Sequence, residues 1–291
     1  MLISVIIPVY NREDTIQEAM NSVLEQKDSE GNNYQIELLV VDDCSTDGTV
    51  EKVLEYSDSR VRLIQLKQNS GANVTRNMGI ANAIGDLIAF HDSDDVWLEG
   101  KLCHQLKLMN LKNADIVVCN LKSVQSEKKE WSFNADDSFV EVKDLLTENF
   151  LSTQCILGKS YIFKRDNFKA GFPIFQDWEL ALRLVQKYKV YFSKQVFVIR
   201  RVQNNSISNT NIDKICAVWD YFLKNYSTIY EKYPDKAQKM YEELGSMAFR
   251  KGYKSHLYFK KSLKAKFSTT VLVKYLYTLV IDNKQELRTN F

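Results

Sequence analysis

Four short apolar runs, each closing on polar or acidic residues and each followed by a helix-period pattern, confine this chain to one broad architecture. Ile3–Val9 is β-branched and ends near Pro8 and Asn11; Asn11 or Asp14 can then cap a helix that places Ile16, Ala19, Met20, Val23 and Leu24 on one face. Ile36–Val41 runs into Asp42-Asp43, and a polar loop leads to a helix over Thr49–Tyr56. Val61–Leu66 precedes a helix over Asn73–Ala83. Leu87–Phe90 ends in His91-Asp92-Ser93-Asp94-Asp95, ahead of a helix over Leu98–Leu111 and a strand over Asp115–Cys119. Strands alternating with helices at this pace predict a mostly parallel sheet covered on both faces, an α/β fold with right-handed crossovers.

Beyond that point the pattern loosens. The stretch 120–150 is polar and irregular, with short strands and a helix expected near Val142–Phe150. Tyr161–Lys164 and Val196–Arg201 read as strands flanking a helix over Asp177–Lys189. From Ile212 onward the chain turns helical, rich in tyrosine and basic. The expected division is an α/β domain over 1–210, with halves 1–119 and 120–210, and a helical extension over 211–291.

Charge divides in the same sense. The 291 residues carry a net +2, yet residues 1–100 hold 7 Lys/Arg against 18 Asp/Glu, and the rest holds the basic excess. An acidic front suits a cation; a basic rear suits an anionic partner. Five cysteines without paired spacing read as reduced thiols of an intracellular chain. No signal-peptide pattern opens the sequence, and Val271–Ile281, interrupted by Lys274, falls short of the roughly 18 apolar residues a spanning helix needs. The expected location is therefore cytoplasmic.

In an open parallel sheet, ligands bind outside the carboxyl ends of the strands. Two of the expected strands end there in clustered carboxylates, Asp42-Asp43 and Asp92-Ser93-Asp94-Asp95. Each alone is also compatible with a solvated turn or a helix cap. Together, at equivalent strand ends, they point to a hard divalent cation, Mn²⁺ or Mg²⁺, because like charges at close range resist joint ionisation without one. Mg²⁺ takes one or two carboxylates and leaves its remaining positions to water and substrate phosphates. The sequence has no GxxxxGK[ST], no GxGxxG after the first strand, no GxSxG and no Cys/His cluster of zinc spacing. Metal-assisted chemistry on a nucleoside diphosphate remains.

The stretches PVYN (Pro8–Asn11), VVDDCSTDGT (Val40–Thr49), NSGANVTRNMGI (Asn69–Ile80) and AIGDLIAFHDSDDVW (Ala83–Trp97), with a weaker QDWEL (Gln176–Leu180), resemble glycosyltransferase family 2, the inverting group with the GT-A fold. The first four span about a third of the chain, in order. The resemblance implies a nucleotide-sugar donor, a glycan or lipid-linked glycan acceptor, and roles for individual residues. Pro8, Val9 and Tyr10 would line the base pocket, and Asp43 would accept a hydrogen bond from the base, uracil being expected. Arg76 and Asn77 would lie against the nucleotide. Asp92, Asp94 and Asp95 cover the DxD-type motif, with Asp92 and Asp94 on the nucleotide and Asp94 and Asp95 on the metal. Asp177 falls at the catalytic base, although Asp at a helix start is also a common cap. The sequence departs from the family in having Gln176 where many relatives carry Glu, Gln203 where many carry a diphosphate-side His, and His91 where an apolar residue is usual. His91 reads as a packed strand-end residue.

The implied activity is hexosyl or N-acetylhexosaminyl transfer from a UDP-sugar in bacterial surface-polysaccharide synthesis. Two rivals stay open: a nucleotidyltransferase, and an inactive scaffold of the same fold. The segment 244–281 holds eight Lys/Arg and no Asp/Glu, interleaved with aromatics. It reads as a helical appendage with solvated lysines, or as one that also meets an anionic membrane surface. Nucleic acid is not an expected partner, since no recognised motif accompanies the charge.

Overall fold

The computed structural model describes residues 1–126, 129–201, 212–250 and 255–289. They form two compact units. The first comprises Met1–Val142, Asn149–Phe172 and Gln176–Ser206; the second takes Lys143–Glu148, Pro173–Phe175 and Ile207–Phe291. The sequence pattern placed the 143–148 and 173–175 segments with the first.

The first unit is built on strands β1 (Ile3–Val9), β2 (Ile36–Asp42), β3 (Val61–Gln65), β4 (Leu87–Phe90), β5 (Val96–Trp97), β6 (Ile116–Ser126), β7 (Lys129–Ser132), β8 (Ser138–Phe139), β9 (Ile156–Lys159) and β10 (Val190–Arg201). The sheet runs β3-β2-β1-β4-β9-β6-β10-β5, with β7 paired to β6 and β8 to β10. The first four strands are parallel neighbours. Every residue of β1 and β2 is buried, as their continuous apolar runs require for strands covered on both faces. β9 then inserts antiparallel to both β4 and β6, and parallel pairing resumes between β6 and β10. The sheet is therefore parallel in its first half and mixed beyond.

Helices α1 (Ile16–Leu24), α2 (Thr49–Leu54), α3 (Ala72–Asn82), α4 (Lys101–Lys112), α5 (Ser160–Arg165) and α6 (Gln176–Leu184) belong to this unit. Gly79 lets α3 lie close on β1, since a Cβ there would come within 2.5 Å of Ile6 Cγ2. The expected strand at Tyr161–Lys164 is instead helix α5, with Ile162 and Phe163 buried and Tyr161 exposed. A four-residue apolar run cannot be told from a short buried helix by periodicity. The helix expected over Val142–Phe150 shrinks to a 3₁₀ turn at Val142–Leu145.

The second unit holds α7 (Ile212–Asn225), α8 (Ser227–Lys232), α9 (Pro234–Arg250), α10 (His256–Ala265) and α11 (Thr269–Thr289). Its core includes Phe222, Met240, Leu244, Phe259 and Val271, all at most 2% exposed. The Tyr230 hydroxyl donates to the Leu146 carbonyl at 2.6 Å, which ties the 143–148 segment to these helices.

Candidate active site

The loops after β1 and β2 are stitched together. Asn11 adopts φ 51° and Cys44 φ 66°, left-handed conformations that favour asparagine and tight turns. The Asn11 N–H donates to Ser45 Oγ at 3.0 Å, and Asn11 Oδ1 accepts the Thr46 N–H at 2.8 Å. Glu13 accepts the Gly48 N–H at 2.7 Å. Pro8 and Val9 are buried strand residues, and Tyr10, at the end of β1, is 42% exposed.

Asp43 is 4% exposed. Its N–H donates to the Val9 carbonyl at 2.8 Å. One carboxylate oxygen accepts from Ser70 N at 2.7 Å and the other from Gly71 N at 2.8 Å. Gly71 has φ 86°, with open space where a Cβ would stand, so its backbone conformation is what demands glycine. Asp43 thus clamps the turn that opens α3, and each oxygen retains a further lone pair for a ligand.

The acidic motif follows β4, whose end is registered on β1 by the His91 N–H donating to the Ile6 carbonyl at 3.0 Å. Asp92 meets Arg76 Nη2 at 2.7 Å. That guanidinium lies 5.4 Å from the Phe168 ring centroid, and its Nε is buried with no hydrogen-bond partner among the described residues. Asp94 has Arg12 Nε at 3.6 Å. Asp95 is 2% exposed and held by Gln154 Nε2 at 3.0 Å and by the Arg201 N–H at 3.2 Å. The Arg201 guanidinium turns to Glu18, with two contacts of 2.6 Å. Burial and the Asp92 charge push the Asp94 carboxyl above its ordinary range. Burial, Asp92 and Asp94 push Asp95 well above it. Excess negative charge is concentrated here.

Asp177 sits in the first turn of α6, its Oδ1 accepting the Trp178 N–H at 2.8 Å. Burial raises its carboxyl, Arg76 opposes the rise, and Asp92 adds to it. Arg76 is therefore the shared element: bonded to Asp92 and electrostatically coupled to Asp177. Asp43 follows β2, Asp92 and Asp94 follow β4, Arg76 lies in α3 and Asp177 opens α6, with the Arg76 charge acting on both Asp92 and Asp177.

Asn77, which the resemblance sets against the nucleotide, meets the Phe168 backbone. Its amide donates to the Phe168 carbonyl at 2.7 Å and accepts the Phe168 N–H at 3.0 Å, leaving one N–H and one lone pair for a further partner. Asn73 donates to the Lys169 carbonyl at 2.9 Å. Both asparagines thus anchor the 168–169 segment to α3. His91 is fully buried, tilted against Trp97 at 5.0 Å, with Nε2 3.4 Å from Ser22 Oγ. Burial and Lys101 hold it well below the usual histidine range. It is a packed residue, as expected. Gln203 lies outside the described residues.

Sequence reasoning missed Gln154 and the Glu18–Arg201 pair, because neither has a local pattern; only the fold brings positions 18, 95, 154 and 201 together. It also missed Lys101, fully buried, with Nζ 3.8 Å from the Trp97 ring centroid and 2.8 Å from Gln105 Oε1.

The chain as a whole is similar to known proteins. The model of "Glycosyl transferase family 2" matches residues 4–172. A β-1,3-glucosyltransferase of Escherichia coli, WfgD, named for UDP-Glc and α-D-GlcNAc-diphosphoundecaprenol, is 31% identical over 247 residues, covering 78% of this chain and 93% of its own. The succinoglycan biosynthesis protein ExoO of Rhizobium meliloti is 28% identical over 249 residues, covering 77% of this chain and 69% of its own. The crystal structure of S. aureus TarS 1–349 in complex with UDP-GlcNAc superposes with a TM-score of 0.66 at 17% identity, covering 99% of this chain and 92% of that one. That likeness shows a shared GT-A fold. With the family match spanning more than half of its residues, the chain belongs to glycosyltransferase family 2 and is a glycosyltransferase.

Proposed function

We propose that the enzyme transfers a sugar from a UDP-linked donor to a hydroxyl of a lipid-linked glycan, with inversion, in the assembly of a bacterial surface polysaccharide. The observation that carries this reading is Arg76, held by Asp92 on the donor side and coupled to Asp177 on the other. The identities of donor and acceptor lean on WfgD, whose name specifies UDP-Glc and a diphosphoundecaprenol-linked sugar.

In this reading Pro8, Val9, Tyr10 and Asp43 take the base, Asp92 the ribose, and Arg76 Nε a donor oxygen that would satisfy its buried N–H. Asp177 accepts the proton of the attacking hydroxyl. A single displacement inverts the anomeric carbon. Among the described residues no three His, Cys, Asp or Glu side chains are grouped to enclose a metal ion. The donor set fits Mn²⁺ or Mg²⁺ held by one or two carboxylates plus diphosphate oxygens. Asp94, with only a 3.6 Å contact to Arg12 and a carboxyl that its surroundings push toward protonation, is the better first ligand. Asp95, committed to Gln154 and Arg201, is the lesser contributor. The ion, when bound, stabilises the charge developing on the departing diphosphate.

Calorimetric titration of UDP-, GDP- and dTDP-sugars, first with Mn²⁺ and then with EDTA, tests the reading. Binding confined to UDP-sugars and abolished by EDTA is expected. Metal-independent binding, or no binding of any donor, overturns it. Release of pyrophosphate instead of UDP would assign the nucleotidyltransferase alternative.

Arg76→Ala supplies a further check. It should weaken donor binding about tenfold, the loss expected for a charge-assisted hydrogen-bond partner. Arg76 also lowers the Asp177 carboxyl, so its removal should move the acidic limb of the rate profile to higher pH. An unmoved limb would show that Arg76 does not act on the base.

Membrane placement completes the proposal. The described residues include no helix long and apolar enough to cross a membrane. A lipid-linked acceptor then asks the enzyme to work at the cytoplasmic face as a peripheral protein, with 244–281 toward the anionic surface.

A further inference from the structure

Helix α11 has a packed face and an exposed apolar stripe. Val271 and Thr278 face inward at 0% and 3% exposure, and Lys274 between them reaches Glu242 of α9 at 2.6 Å. The exposed stripe is Val273, Leu276, Tyr277 and Val280, at 67%, 52%, 60% and 55% exposure. Phe267, in the turn before the helix, is 66% exposed. Single exposed apolar side chains are ordinary, but four at i, i+3, i+4 and i+7 stand where a solvated helix places polar residues.

On α10, which packs against α11, the exposed residues at the same spacing are Leu257, Lys260, Lys261 and Lys264. Residues 255–281 contain no Asp or Glu, so no acidic residue of this segment offsets these cations. An outward apolar stripe beside a row of lysines is the composition of a helix that lies within a bilayer interface. The stripe covers two turns, which suits shallow seating in the plane and not a crossing.

We propose that the second unit binds an anionic lipid bilayer through Val273, Leu276, Tyr277 and Val280, with Phe267 at the leading edge and Lys260, Lys261 and Lys264 on the headgroups. The inference deepens the membrane placement above and rests on it. The surface commits to lipid because the stripe is apolar and the exposed side of the adjoining helix α10 carries Lys260, Lys261 and Lys264, a match to anionic headgroups, while Lys266 and Lys274 are paired with Asp235 and Glu242 of α9. A second copy docked stripe to stripe would bring the Lys260, Lys261 and Lys264 rows of the two chains towards each other.

Flotation with phosphatidylglycerol/phosphatidylethanolamine vesicles, against a phosphatidylcholine control, tests it, with donor titration on the same preparations. Wild-type protein should float with the anionic vesicles at low salt and stay behind with the control. Leu276→Asp/Val280→Asp should abolish flotation. Lys260→Glu/Lys264→Glu should cut it about tenfold. Both variants should bind donor as wild type does. Wild-type protein that never floats, or variants that float as well as wild type, would overturn the assignment. So would a wild-type oligomer that Leu276→Asp/Val280→Asp dissociates without any vesicle binding, which would make a second copy the occupant. Intact flotation with failed donor titration would uphold the surface and sink the sugar-transfer reading instead.

Discussion

Asp177→Asn is expected to lower turnover about a thousandfold, the scale of losing a positioned general base, with donor affinity nearly unchanged. The substitution is close to isosteric. Its side-chain carbonyl can still accept the Trp178 N–H that Asp177 now receives at 2.8 Å, so the start of α6 should survive. What is lost is the ability to take a proton. The pH profile gives a second reading of the same residue. Burial raises the Asp177 carboxyl, and only the ionised form can act as base, so wild-type turnover should fall on acidification before an ordinary carboxylate would protonate. The residual rate of the Asn variant should show no such limb. Steady-state turnover with donor titrated separately decides the matter. Full activity would reduce Asp177 to a helix-start residue, and loss of donor binding would move it to the donor side of the site.

The other large effect belongs to Asp43, and its readout is thermal. Asp43→Ala should cost about 2–3 kcal/mol of folding stability, because Ser70 N and Gly71 N each lose a charge-assisted acceptor. The melting midpoint should drop by several degrees. Asp43→Asn, which keeps one acceptor oxygen, should fall between the two. Donor affinity should also fall in both variants, measured well below their melting points. A variant that melts like wild type would remove the clamp, whereas one that melts low but binds donor normally would leave Asp43 a structural residue only.

These contrasts show which parts of the molecule a one-dimensional reading reaches. β1, β2 and β4 were legible because strands buried on both faces must be continuously apolar, and the residues that close them must be polar. The acidic ends of β2 and β4 stood out for the same reason. β9 did not, since Ile156–Lys159 is too short to declare a type, and its insertion antiparallel between β4 and β6 is a tertiary fact. The same ambiguity turned Tyr161–Lys164 into a strand on paper and a helix in space. Within the site, Asp92, Asp94 and Asp177 could be named from local chemistry and resemblance. Gln154 could not, and Arg201 stood out only as a charge near Gln203, because the place of both beside Asp95 comes from the fold. Asn77 shows the converse: a residue inside a recognisable motif whose amide also holds backbone 91 positions away.

That last pairing bears on how such enzymes can be recombined. A natural place to splice two glycosyltransferases would be the seam near residue 119, exchanging everything after it to acquire a new acceptor. Yet Asn73 and Asn77 hold the backbone at Lys169 and Phe168, Gln105 binds the Cys155 carbonyl, and Trp97 binds that of Gln154. These fasteners cross the seam, each recognising main chain, which any incoming sequence possesses, but at positions whose path must match to within a hydrogen bond's tolerance. Grafted specificity should therefore travel best when the donor and recipient share loop lengths between 150 and 170, whatever the side chains in between.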